Sequence, residues 1–297
     1  MGLPTQPTDI AIPVQGGSLN VARFRGPGQP AGPAVIAVHG ITANSRAWGL
    51  VAATLGGRAE LVAVDLRGRG GSRDLPGPYG FDAHEADLLA ALDALELSSV
   101  VLTGHSLGAY VVARFAERHP ERVRAALLLD GGLPIPGFEG PSPTDTATTG
   151  VAAALARFSL HFATLADYVD WWRRHPAFAG GQADDAALAS YAAHDLSGAE
   201  PELRPTASAA AIEADALELA RAGSAAARLE TPARMLVAPR GLLGEPSPMQ
   251  PLEQALAWAS ADPARRSAAL VPDVNHYTLV LGRSGAAAVA DAIAELV

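Results

Sequence analysis

The chain of 297 residues contains no cysteine. That absence excludes disulfide staples, thiolate metal ligands and a cysteine nucleophile. Charge is sparse and leans negative, with 18% charged residues, a formal net charge of −9 and a pI near 5.3. The 22 basic residues, all arginine, are scattered and form no basic run able to neutralise a phosphate backbone, so nucleic acid is not an expected partner. No apolar run approaches the ~20 residues that cross a bilayer. Met1 to Pro13 lacks the basic-then-apolar pattern of a secretory signal, and a soluble cytoplasmic protein that does not enter the membrane is the expectation. What is present is globular: hydrophobic residues make up 49% of the chain, enough for a full core.

Short apolar runs alternate with longer amphipathic ones in the first half. Ile10–Val14 and Leu19–Phe24 flank Gly16-Gly17, a hairpin pattern. Ala34–Val38, Leu61–Val64, Val100–Thr103 and Ala125–Leu129 are apolar throughout, as strands buried on both faces of a parallel sheet must be. Between them lie helical stretches, Ala47–Leu55, Phe81–Leu95 and Leu107–His119, the last stopped by Pro120. The rhythm breaks after Gly132: Leu133–Thr149 reads as a proline-bearing loop, and Val151–Ala227 as helix after helix with no strand. It returns with strand Arg234–Ala238, helix Leu252–Ser260, strand Ala268–Val271 and a final helix Ser284–Val297. The expected class is therefore α/β, a doubly wound, mostly parallel sheet from residues 1–132 and 231–297, with a helical cap inserted at 133–230.

Gly104-His105-Ser106-Leu107-Gly108 has the form G-x-S-x-G. In a chain with 30 glycines the pentapeptide alone is moderate support, and its setting strengthens it. An apolar strand feeds the turn and an apolar-periodic helix leaves it. Gly104 and Gly108 remove the β-carbons that a strained strand-to-helix turn could not hold. Ser106 then stands above the sheet as a candidate nucleophile, and the Leu107 amide, at a helix N-terminus, points at a developing oxyanion. His39-Gly40-Ile41 follows strand Ala34–Val38, where such a hydrolase takes its second oxyanion donor, and the Ile41 amide is the candidate. His39 reads as a loop brace. His84-Glu85-Ala86-Asp87 lacks a second histidine at the spacing of a helical zinc site, so no metal is expected.

Five segments occur in a consistent order: Val38-His39-Gly40, Val64-Asp65-Leu66-Arg67-Gly68-Arg69-Gly70-Gly71-Ser72, the serine pentapeptide, His119-Pro120-Glu121-Arg122-Val123 and Asn275-His276-Tyr277. Together they resemble the α/β-hydrolase superfamily, in its capped esterase, lactonase and haloperoxidase-like branch. The resemblance covers about two thirds of the chain and leaves out the helical insertion. It implies His276 as general base, in a loop between the last strand and last helix. His84, His119, His161, His175 and His194, on helices or helix ends, read as solvated or packing residues, and Asp65 as a loop-shaping one.

The acid stays open. The family usually places an aspartate after the strand that follows the cap, but Ala238-Pro239-Arg240-Gly241-Leu242-Leu243-Gly244-Glu245 holds none. Asp130, ending strand Ala125–Leu129 and followed by Gly131-Gly132, is preferred; Glu245 is the alternative. Trp48, Leu133, Phe158, Phe162, Tyr168, Trp171 and Trp172 are candidate pocket walls, favouring an apolar substrate. The implied activity is cofactor-free cleavage of a small-molecule ester or lactone by a monomer or homodimer. Perhydrolysis and C–C hydrolysis would use the same residues, whereas halide displacement would need an aspartate in place of Ser106. A receptor of the same fold without turnover is the competing class.

Overall fold

A computed structural model describes residues 6–25, 33–136, 155–181 and 183–297. Strands β1 (Thr8–Val14) and β2 (Gly17–Phe24) form the antiparallel hairpin. There follow β3 (Ala34–Val38), α1 (Gly49–Leu55), β4 (Glu60–Val64), α2 (Phe81–Ala94), β5 (Val100–His105), α3 (Leu107–Arg118) and β6 (Val123–Leu129). After an insertion come β9 (Ala233–Val237), α7 (Leu252–Ser260), β10 (Arg266–Leu270), α8 (Thr278–Leu281) and α9 (Arg283–Leu296). Within the insertion are α4 (Leu165–Arg173), α5 (Asp185–Asp195), β7 (Leu196–Ser197), β8 (Arg204–Pro205) and α6 (Ala209–Ala222).

The main sheet runs β1-β2-β4-β3-β5-β6-β9-β10 and is parallel from β4 to β10. Its inner strands are continuous apolar runs because helices cover both faces: every residue of β4 and β5 is buried. Alternate side chains fall into two cores. Val35, Ala37, Leu61, Ala63, Val101, Leu127 and Leu129 pack with α1 and α9 on one face, while Ile36, Val38, Val62, Val64, Leu102, Ala126 and Leu128 pack with α2, α3 and α7 on the other. Strand order reverses between β3 and β5, the position at which an open α/β sheet leaves a crevice beyond its carboxyl ends.

Three sequence expectations change. The expected helix at Ala47 opens instead with a 3-10 turn, Ser45–Trp48, capped by the Asn44 side chain. The insertion is not wholly helical: Leu196–Ser197 pairs with Arg204–Pro205, strands too short to show alternation. The last strand starts earlier, at Arg266, and is half-exposed, since it forms the sheet edge. Of the expected loop Leu133–Thr149, residues 137–149 lie outside the described residues.

Between β6 and β9 the insertion docks on the loops at the carboxyl edge of the sheet. Tyr191 O accepts from Asn44 Nδ2 at 3.2 Å, Ala177 O from Asn275 Nδ2 at 2.7 Å, and Gly68 O from Ser208 N at 2.8 Å. Those loops follow β3, β10 and β4.

Helix α3 leans directly on the sheet. A β-carbon on Gly108 would lie 2.1 Å from Val38 O, and one on Gly104 the same distance from Gly108 O. Neither obstacle is a flexible side chain. Gly108→Ala should therefore cost about 3 kcal/mol or more, measured as the shift in urea midpoint; a loss under about 1 kcal/mol would mean that α3 can lift off β3.

Candidate active site

Ser106 is the single residue between β5 and α3, and it adopts φ 55°, ψ −122°. A non-glycine residue held there stores strain. Its N–H donates to Leu129 O at 2.9 Å and its C=O accepts from Ala109 N at 2.9 Å, so both flanks are pinned. Every other residue from Val100 to Ala113 is buried, and Ser106 alone is partly exposed. Leu107 is the first residue of α3, so its N–H has no acceptor within the helix. A β-carbon on Gly40 would lie 3.3 Å from Ser106 Cβ, which sets the loop of Ile41 beside the serine.

Parallel register puts His105 opposite Leu129, so Asp130 follows β6 at the height at which Ser106 follows β5. Asp130 has φ 46°, tolerated by aspartate better than by most residues, and is buried. Its N–H donates to Leu236 O at 2.8 Å and its Oδ1 accepts from Ala238 N at 3.2 Å. Its Oδ2 takes the Nδ1–H of His276 at 2.7 Å. That bond leaves Nε2 as the unprotonated nitrogen of a neutral imidazole. Glu245 lies elsewhere: it is exposed, and its Oε2 accepts from Leu243 N at 2.7 Å within its own loop.

The His276 loop is tied down on every side. His276 N donates to Arg240 O at 3.1 Å, and Asn275 Oδ1 accepts from Tyr277 N at 3.0 Å and Thr278 N at 2.9 Å where α8 begins. His105 Nε2 meets His276 O at 2.9 Å, with the two rings 4.6 Å apart, and burial drives the His105 pKa well down. His105 and Asn275 carry no catalytic signature of their own. Only their places beside Ser106 and His276 in the motifs could have flagged them.

Asp65 is fully buried and accepts from Ser45 N at 2.6 Å, Gly71 N at 2.9 Å, Asn20 Nδ2 at 2.8 Å and His194 Nε2 at 2.6 Å. Burial pushes its carboxyl up, but His194 and these amides outweigh burial and hold it well below the usual range. Of the solvated and packing roles expected for His194 and His84, the structure shows the packing one, each on a carboxylate: His84 is buried and meets Asp215 of α6 at 2.9 Å. Buried carboxylates from distant elements recruited both.

The aromatic candidates spread over several environments. Trp48 and Tyr168 are fully buried and Trp172 nearly so, in the core on the α1 face. Leu133 belongs to the opposite core, its carbonyl accepting from Tyr110 OH at 2.7 Å. Phe158 is half-buried under the Arg157 guanidinium. Phe162, Tyr168, Trp171 and Trp172 form one cluster that continues through His175 and Phe178 to Tyr277, next to His276. Among the described residues no helix is long and apolar enough to cross a membrane, and no group of three or more His, Cys, Asp or Glu side chains is arranged to hold a metal.

A family model for the alpha/beta hydrolase fold matches residues 33–194. The chain is 40% identical over 107 residues to N-formylmaleamate deformylase of Pseudomonas putida, covering 36% of this chain and 40% of that protein. It is 37% identical over 109 residues to the lipase LipV of Mycobacterium tuberculosis, covering 36% of this chain and 41% of the other. The match thus spans less than half the length of these curated relatives. The crystal structure of E-2-(acetamidomethylene)succinate hydrolase superposes with a TM-score of 0.76 at 21% identity, over 98% of both chains. At that identity the likeness is one of fold.

His39 supplies a pH test. Leu66 N donates to its Nε2 at 3.0 Å, which places the proton on Nδ1, facing Gly40 O at 2.7 Å. Burial lowers its pKa to about 4, whereas an unfolded histidine titrates near 6.5. Between those values the unfolded chain binds a proton that the folded chain refuses. Stability should therefore fall as pH drops from about 6.5 to about 4, by up to roughly 3 kcal/mol from this group. His39→Gln should flatten that slope by up to one proton in urea titrations; an unchanged slope would mean that folded His39 already carries the charge.

Proposed function

The chain belongs to the α/β-hydrolase fold family, and we propose that it is a serine hydrolase cleaving a carboxylic ester or lactone of a mainly apolar small molecule through an acyl-enzyme on Ser106. The observations that carry this reading are the positive-φ turn at Ser106 and, at the same level past the neighbouring strand, a buried Asp130 carboxylate that accepts the Nδ1–H of His276 at 2.7 Å.

The chemistry follows from that tautomer. His276 Nε2 takes the proton of Ser106 Oγ as the oxygen attacks the substrate carbonyl. Carbonyl electrons move onto oxygen, and the Ile41 and Leu107 amides hold the resulting anion. The imidazolium, stabilised by Asp130, returns its proton to the leaving alkoxide as the C–O bond breaks. Water then adds to the acyl-enzyme, giving a proton to Nε2, and the acid leaves as Ser106 recovers its own. Side chains and amides of this chain supply each step. The inserted segment serves as the cap, and the aromatic cluster reaching Tyr277 favours an apolar acyl or alcohol group.

A second reading rests on the likeness to a deformylase: the same attack could fall on an N-formyl carbonyl. A panel of esters, lactones and N-formyl amides separates the two. Perhydrolysis, which would use the same residues, has in its favour a likeness of 31% identity over 126 residues to a protein described as a non-heme haloperoxidase; C–C cleavage and a receptor without turnover are the remaining readings.

Ser106→Ala should lower kcat on p-nitrophenyl acetate by about 10⁴- to 10⁶-fold and abolish labelling by a fluorophosphonate, with the melting temperature preserved. More than a tenth of wild-type turnover in that variant would remove Ser106 from the mechanism. Asp130→Asn should cost kcat on the order of 10⁴-fold through the wrong tautomer, while Glu245→Gln stays near wild type. If Glu245→Gln proved the damaging change, the acid would be reassigned.

A further inference from the structure

The loop after β3 must do more than reverse direction, because the reading above uses its Ile41 N–H as an oxyanion donor. Three successive carbonyls of that loop are each bound. Gly40 O accepts from Ala43 N at 3.0 Å and His39 Nδ1 at 2.7 Å. Ile41 O accepts from Arg69 Nε at 3.0 Å. Thr42 O accepts from Arg157 Nη2 at 2.9 Å. In a trans peptide the carbonyl oxygen and the next N–H point opposite ways in one plane. Holding Gly40 O therefore aims Ile41 N–H away from His39, and holding Ile41 O and Thr42 O fixes the planes that follow.

The two guanidiniums are nearly inaccessible, at 1% and 3% exposure, and a buried charge is tolerated only when paired. Arg69 Nη2 lies 2.5 Å from Asp215 Oδ2 on α6, and its Nη1 donates to Arg67 O at 3.0 Å. Asp215 also holds His84, from α2. Arg157 Nη1 lies 2.7 Å from Asp195 Oδ2, at the end of α5, and 2.8 Å from Tyr168 OH, which also bonds Asp195. The Phe158 and Trp172 rings lie 4.6 and 4.8 Å from the Arg157 guanidinium. Both carboxylates, and Arg157 itself, belong to the inserted segment. Each arginine thus uses one part of its fork for that segment and another for the loop.

We propose that Arg69 and Arg157 are positioning residues for the Ile41 oxyanion donor, so that the donor is in place only while the inserted segment is docked. This rests on the serine-hydrolase reading. Lysine keeps the charge and can keep the aspartate, but a compact ammonium has no planar fork to bridge an aspartate and a loop carbonyl at once. Arg69→Lys and, independently, Arg157→Lys are therefore the informative variants. Arg173→Lys, an exposed arginine paired with Asp170 and Asp185, is the control.

Expected for either variant is a kcat on p-nitrophenyl acetate about 10- to 100-fold down, less than the ~10²–10³ of deleting a donor outright, with KM within about threefold. The ratio of oxoester to thionoester turnover should narrow, because a thiocarbonyl sulfur accepts weakly and draws little from the amide. Backbone hydrogen exchange across residues 39–46 should rise. Unchanged exchange and an unchanged ratio in a variant that folds would overturn the proposal, even if overall activity fell. The serine-hydrolase reading fails separately, if the wild-type chain is not labelled by the fluorophosphonate. The exchange data would then still decide whether the arginines hold the loop.

Discussion

Between β5 and α3 the chain turns within one residue, and a turn that abrupt requires helix and sheet to meet backbone to backbone. The space left at Gly104 and Gly108 is smaller than a methyl group, and Ser106 accepts φ 55° as the consequence. Much else follows from this contact. The helix N-terminus is brought over the sheet edge, where the Leu107 N–H has no acceptor within the helix. Because Ser106 N bonds Leu129 O, Asp130, the residue after β6, is held at the same level. His276 then needs only a loop that reaches the carboxylate, and the bridge between Arg240 and Asn275 brings that loop down from the far strands.

A second constraint is the number of charges taken out of water on this edge. Arg67 pairs with Asp87, Arg69 with Asp215, Arg157 with Asp195, and His194 with Asp65, with little or no exposure at any carboxylate. Desolvation offsets most of the attraction in such pairs, and losing one partner is far more costly than the pair is worth. Two of these pairs, Arg69–Asp215 and His194–Asp65, join the inserted segment to the loop after β4, while the apolar clusters supply the burial energy.

The fold carries less information about chemistry than the site does. A structure alike over 98% of both chains shares 21% identity with this one, and one fold hosts many reactions. Under the reading proposed for this chain, the reaction is narrowed by the local set: a strained serine, an imidazole whose Nδ1–H is bound to Asp130, and the Ile41 and Leu107 amides.

The sheet, its helices and the serine turn were legible in the chain itself, because each follows from short-range rules. Strands buried on both faces must be apolar throughout, and a strand-to-helix turn in van der Waals contact with a neighbouring strand must have glycine beside the serine. The preference for Asp130 over Glu245 came from the resemblance and a Gly-Gly turn, not from a local rule. Only the fold could bring Asp130 to His276, which lies 146 positions away, while Glu245 folds back onto its own loop. The same holds for His84 and His194, which look like helix-surface residues until Asp215 and Asp65 arrive from 131 and 129 positions away. Sequence specified the groups that obey steric rules among near neighbours; the partners of buried charges are chosen by which distant side chains share a dry volume, and tertiary structure alone decides that.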